Sequence, residues 1–358
     1  MKRTITLLCC ALAFGGAFAQ KVAKAELKSL QSFLSQPSAK GGTNAQALNI
    51  TDLSNPASWE GVTVANGSVT DIKWVHKDLA GTLNLTGFKN LRSVDVSDNR
   101  IKQLTLSALP SVASVNAGKN AITEIAITGC PQLQTLKLNR NHITDLDLDG
   151  VPFLTSLNVA QNQIPVLDVT DAVNLKYLNC MSNRLETLTL TNCQALKTVY
   201  AGYNQLTEVV TSGLTSLQNL NLNSNMLRKL YVQDLPALVT LFVSDNHMTQ
   251  LAANNCPQLY DVWAPYNDLT EFTVQNCNNL GMVNLSWNDL ESLNLSGQNF
   301  LQRLNVSNNQ LNWLNVSFCP MLQYLNISDN DLLTNLMIEG DSELRQVVGE
   351  WNDYDLSY

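Results

Sequence analysis

The chain has 358 residues, with 22 Lys and Arg against 30 Asp and Glu and a formal net charge of −8. That balance disfavours nonspecific nucleic-acid binding and adhesion to anionic lipid, which both need cationic patches. The length is large for a single hydrophobic core, a limit that a repeat array escapes because its core grows along one axis.

The first residues read as an export signal. Lys2 and Arg3 form the charged end, residues 4–15 are mostly apolar, and Ala17-Phe18-Ala19 fits a small-x-small cleavage site before Gln20. The apolar run is too short to span a bilayer comfortably, so a cleaved leader over 1–19 is expected rather than an anchor. No later stretch holds 18 uninterrupted apolar residues, and membrane insertion is not expected. Residues 20–36 place Leu27, Leu30 and Phe33 or Leu34 at helical spacing, which predicts a short amphipathic helix. A Pro/Gly/Ser loop follows over 37–44, then a lead-in with an Asn66-Gly67 turn. The reading is a cap over 20–68, because an open array exposes raw apolar surface at its ends and terminal units must differ.

From there a fixed period dominates. Asn stands every 21 residues, twelve times from Asn99 to Asn330, and Asn352 follows after one step of 22. Eight residues before each stands Leu, or once Val112. Counting that residue as zero, the rung reads L-x-x-L-x-φ-x-x-N-x-L, where φ is small or apolar. Such a period means stacked units, none of which buries its apolar side alone. The solenoid spans 69–358, with an irregular first rung at 69–90 carrying Lys77 in the Asn slot, regular rungs over 91–343 and a truncated rung at 344–358.

Each rung holds two apolar strings. Positions 0, +3 and +5 alternate as a strand with one buried face, and successive strands lie parallel, ~4.8 Å apart. Positions +10, +13 and +15 (Leu290, Leu293 and Leu295, for example) return along the other side. They have room for a second short extended segment but not for a helix of several turns. The Asn at +8 has both donors and acceptors with which to satisfy backbone groups where the chain turns inward. Its role is structural, and Asn-x-Ser triplets such as Asn305-Val306-Ser307 are by-products of the repeat.

Past the leader there are six cysteines. Cys130, Cys193, Cys256, Cys277 and Cys319 all occupy +18, where other rungs carry Leu, Val or Ala, and Cys180 takes a core slot. Exchange with small apolar residues marks buried thiols. Cys256 and Cys277 lie on adjacent rungs but with parallel side chains, which does not favour a disulfide.

The pattern resembles the bacterial leucine-rich-repeat family, in particular internalin-like secreted proteins with 21-residue repeats. The motif stands almost intact at 301–319, LQRLNVSNNQLNWLNVSFC. The resemblance implies a right-handed parallel β superhelix with short extended segments on the convex side and a small helical cap. It also implies a secreted or cell-surface protein that binds macromolecules. Only Cys180 occupies the strand slot where some internalin-like members carry a cysteine ladder. The plant-type cap cysteines are missing, which favours bacteria. No sorting or anchoring region is expected after the repeats.

Catalysis finds little support. His142 and His247 lie five rungs apart, or ~24 Å, and cannot share a proton. No Gly-rich phosphate loop, His-Glu-x-x-His or Cys-x-x-Cys occurs. No cofactor or metal is expected. The strand's exposed slots are more informative. Slot +4 defaults to Asn, but Tyr200, Phe242 and Trp263 break it within four rungs. Slot +7 adds Tyr203, Tyr266 and Trp287, and slot +1 adds Tyr260. Seven aromatics thus gather on five consecutive rungs, across ~19 Å. Such clusters mark contact sites, although lateral stacking that only stabilises the sheet is the competing account. Arg92, Lys119, Lys137, Arg140, Lys176 and Lys197 lie in the first half of this face, with Asp245, Asp261, Asp268, Asp289 and Asp329 in the second. The expectation is a monomeric, non-catalytic binding protein whose concave sheet takes a protein or peptide partner. A glycan ligand, or a structural surface role, is the alternative.

Overall fold

The residue at +3 and its two neighbours form a strand in nearly every rung, and these strands add to one another in parallel. The computed structural model describes residues 22–170, 172–341 and 343–349. In it these strands form one sheet of 15 members, entered by an antiparallel hairpin and continued in register. Tyr177 pairs with Thr198, Leu178 with Val199 and Asn179 with Tyr200, and the same step joins Thr240 to Asp261. The central residue of every triplet but the last is buried, and the flanking ones, Asn284 excepted, meet solvent, so the sheet has one dry and one wet face. The expected leader at 1–19 and Asn352 lie outside the described residues.

The second string is extended as expected, but its ladder is interrupted. Short sheets form from Ala80–Asn84, Arg100–Ser107 and Glu124–Thr128, and again from Thr187–Leu188 onward. Between them, the rungs led by Leu133 and Leu154 carry only a bridge from Asp168 to Thr189. On this side the N–H at +11 donates to the carbonyl one rung earlier in several rungs, as Thr123 does to Lys102 (3.0 Å) and Thr249 to Arg228 (2.9 Å). Pro165 occupies that slot and has no N–H to give. Asp145, Asp147, Asp149 and Asp168 add like charge on facing segments, which also weakens pairing.

The asparagine ladder runs inside the turn after each strand. Asn204 Nδ2 donates to the carbonyls of Cys180 and Ala201, both at 3.0 Å, and its Oδ1 accepts the Leu185 N–H at 3.1 Å. Each +5 carbonyl receives two ladder donors, since Asn183 also reaches Cys180 and Asn225 also reaches Ala201. Each +10 N–H, by contrast, is served by a single ladder oxygen. The step of 22 is absorbed on the far side of the Leu322 rung: Leu332 is 61% exposed and Leu333, 4% exposed, takes over its core slot.

The cap begins with α1 (Lys24–Leu34), shorter than the expected 20–36, which buries Leu30, Phe33 and Leu34. Phe33 stacks on Trp74 with centroids 6.0 Å apart. Asn44 opens the single turn α2 (Asn44–Ala47) and is fully buried. Its Nδ2 donates to Phe33 O and Ala80 O, both at 2.9 Å, and its Oδ1 accepts the Ala80 N–H at 3.0 Å. Glu26 is also buried and accepts the Val69 N–H at 2.8 Å. Burial pushes its carboxyl up, against the lowering effect of that hydrogen bond. The hairpin Val62–Ala65 and Ser68–Lys73 turns at Asn66 and Gly67, both at positive φ, and its first strand covers the edge of the long sheet.

The six cysteines among the described residues are buried and free. Those at +18 are also hydrogen-bond donors. Cys130, Cys193, Cys277 and Cys319 give their S–H to the +15 carbonyl one rung earlier, at 3.2–3.3 Å. Cys256 turns instead to Asn254 O at 3.4 Å. Burial pushes Cys180 up to about 12 and Cys193 and Cys319 up to about 11, and Cys256 is raised by the neighbouring Cys277 thiol and then by burial. Thiols held protonated exchange poorly, and Cys277, lowered to about 7 by the Cys256 thiol beside it, is shielded by burial. Alkylation of denatured, unreduced protein is therefore expected to label all six. A native disulfide through Cys130 or Cys193 would contradict the stacking order.

Candidate functional site

The wet face is built from slots +2 and +4, two residues apart on each three-residue strand. Asn at +4 is more than a solvated default. Its Oδ1 accepts the N–H at +6 and so closes the turn, at 3.2 Å for Asn116, 3.1 Å for Asn158, 3.1 Å for Asn221 and 3.0 Å for Asn284. An aromatic residue at +4 forfeits that acceptor. Two of the three aromatic rungs compensate. Pro265 follows Trp263 at +6 and carries no N–H, and the Ser244 N–H after Phe242 is accepted by Asn223 Oδ1 at 2.8 Å.

The seven expected aromatics fall into two groups. Tyr200, Phe242, Tyr260 and Trp263 lie on the floor of the sheet; the first three are half-buried and Trp263 is 44% exposed. Tyr260 lies across Gly281, where an added Cβ would stand 2.0 Å from its Cε2, so the absence of a side chain there seats the ring. Tyr203, Tyr266 and Trp287 stand on the lip of the face, exposed by 58, 58 and 52%. Tyr266 and Trp287 stack with centroids 5.7 Å apart and planes 20° from parallel. Tyr203 lies three rungs from Tyr266, ~14 Å by strand spacing, and is not part of that pair. Every described +7 residue from Asp98 to Asp329 has φ between 54 and 59°, a left-handed conformation in which Tyr and Trp are disfavoured.

At slot +2 the sequence singles out Asp261 alone, although a period of two puts that slot beside +4. The slot also supplies Tyr177, Met282, Arg303 and Tyr324. Tyr177 meets Tyr200 edge-on at 6.0 Å, and the Arg303 guanidinium lies 4.9 Å from the Tyr324 ring centroid. Trp263, Met282, Asn284, Arg303, Asn305 and Tyr324 enclose a shallow depression of about 170 Å³. Asp261, at +2 one rung before Met282, has Oδ1 buried without a hydrogen-bond partner among the described residues, and burial pushes its carboxyl up. Arg303 also breaks the expected division of charge on the floor.

The histidines lie apart, His76 paired with Asp98 at 2.8 Å and His247 facing Asp268 at 3.8 Å. Among the described residues no group of three or more His, Cys, Asp or Glu could hold a metal ion, and no helix is long and apolar enough to cross a membrane.

Neither protein-family models nor curated proteins give a match to this sequence. Solved structures do. An internalin (inlF) from Listeria monocytogenes is 18% identical, with a TM-score of 0.57 over 87% of this chain and 94% of its own. YopM, a leucine-rich effector protein from Yersinia pestis, is 23% identical, with a TM-score of 0.51 over 75% of this chain and 88% of its own. A leucine-rich-repeat protein of Leptospira interrogans is 21% identical, with a TM-score of 0.50 over 69% of this chain and 74% of its own. At such identities the likeness is one of fold, and the chain is a leucine-rich-repeat solenoid of the kind found in these bacterial proteins, internalins among them.

Proposed function

We propose that this is an exported, non-catalytic binding protein that takes a protein or peptide partner on the wet face of its long sheet. Contact is centred on Tyr200, Tyr203, Phe242, Tyr260, Trp263, Tyr266 and Trp287, extended by Met282 and Tyr324. The observation that carries this reading is Trp263, an indole 44% exposed in a slot whose commonest residue is a turn-closing Asn, followed by the proline that removes the need for that Asn. Stabilisation of the sheet does not call for such an exchange, whereas Trp and Tyr dominate binding hot spots. We assign 1–19 as the cleaved leader, 20–68 as the cap and 69–358 as the solenoid, and the site of action as the cell surface or the surrounding medium.

The test starts from a partner found by surface-protein pull-down, with a glycan array run beside it. Trp263→Ala combined with Tyr200→Ala should weaken binding by about 30-fold or more, equivalent to ~2 kcal/mol, with an unchanged melting temperature. Undiminished affinity in a folded double variant rules the patch out.

A further inference from the structure

The lip of the wet face has a chemistry that the floor lacks. Its outward positions are +7 and +9. On the five rungs led by Leu238 to Leu322 they hold Asp245, Tyr266, Trp287, Asn308 and Asp329, then His247, Asp268, Asp289, Gln310 and Asp331. Half of these are Asp and none is Lys or Arg. On the seven earlier rungs the same slots hold Arg100, Lys119, Arg140 and Arg184 against Asp98 alone. Acidity and the stacked ring pair therefore coincide at one end of one edge.

We infer that this lip takes Lys or Arg side chains from a basic segment of the partner protein. The inference rests on the binding face proposed above and specifies the charge of what binds there. Tyr266 and Trp287 together present a broad ring surface, and a cation over such a surface is attracted by the ring quadrupole. Asp245 stands one rung before the pair and Asp329 two rungs after it, ~4.8 Å per rung, with Asp268 and Asp289 alongside. Among the described residues the one basic group paired with Asp268 is His247 Nδ1, at 3.8 Å, and Asp289 accepts Gln310 Nε2 at 2.8 Å. The floor gives an internal precedent, since Tyr324 is already covered by Arg303. Among the described residues no cation lies over Tyr266 or Trp287. The basic lip of the earlier rungs would repel the same segment, so the charge pattern also sets the direction in which an elongated partner lies.

The probe is a short peptide alternating Lys with Gly, compared with the same peptide carrying Gln for Lys, titrated against the full mature chain and followed by Trp fluorescence and calorimetry. The Lys peptide should bind about tenfold more tightly than the Gln peptide at ~0.01 M ionic strength, and weaken towards it at ~0.1 M as the screening length shortens. Tyr266→Asn with Trp287→Asn retains the fold, because Asn308 occupies the same slot at the same φ. That variant, and separately Asp245→Asn with Asp268→Asn and Asp329→Asn, should each lose about tenfold in affinity for the Lys peptide. Lys119→Asn should lose nothing. Equal binding of the two peptides overturns the inference. So does full binding by the ring variant, which would leave acidity acting alone, or full binding by the carboxylate variant. If the lip variants bind the identified partner normally while Trp263→Ala with Tyr200→Ala does not, the lip assignment fails and the floor assignment stands.

Discussion

Asn204→Leu should lower stability by about 3 kcal/mol or more, well beyond the ~1 kcal/mol expected for Asn221→Ala. Both residues are mid-solenoid asparagines, so composition does not separate them; their bonds do. Removing Asn204 orphans the Leu185 N–H, for which its Oδ1 is the ladder acceptor, and takes one of two side-chain donors from the carbonyls of Cys180 and Ala201. Removing Asn221 opens one half-exposed turn at the Asn223 N–H. Chemical denaturation of the two variants checks the ranking. Equal midpoints would mean that the ladder bonds are replaceable by water.

Asn44→Ala should cost about 2–3 kcal/mol, and the damage should stay local. One carboxamide ties the end of α1, through Phe33 O, to both backbone groups of Ala80. Stability in a repeat array is passed between nearest neighbours, so the loss should appear as faster amide exchange over 80–84 and in the cap, with the middle rungs unchanged. Protection at 80–84 equal to that of the unaltered protein would show that α1 docks through its apolar face alone.

The fold was legible because a 21-residue period leaves one way to stack Leu on Leu and Asn on Asn. The cap was only half legible. Leu30, Phe33 and Leu34 announced a helix, but Thr43-Asn44-Ala45-Gln46 carries the Thr-x-x-Gln capping box that starts α2, and it passed as loop. On the wet face, aromatics at +4 stood out against Asn, while Met282, Arg303 and Tyr324 at +2 did not, because the Ser or Thr default of that slot lapses from Asp261 onward. The accommodation of Trp263 by Pro265 and of Phe242 by Asn223 needed coordinates, since the bond each replaces is made by backbone. The left-handed turn at +7 was equally hidden. Asp, Lys, Arg, Gln, Ser, Tyr and Trp all occupy it, so the stack and not the side chain imposes that conformation.

The missing ladder around Pro165 has a mechanical meaning. Where the far-side sheets persist, neighbouring rungs are stitched along two lines, one on each side of the core, and resist being prised apart like a strip sewn at both margins. From Thr128 to Thr187 the far margin is nearly unsewn. A load applied between the cap and the last rungs would concentrate its bending there, within the basic part of the lip that holds Arg140 and Arg184. The rungs before and after it are thus joined by a compliant segment, and the angle between them can adjust without loosening either.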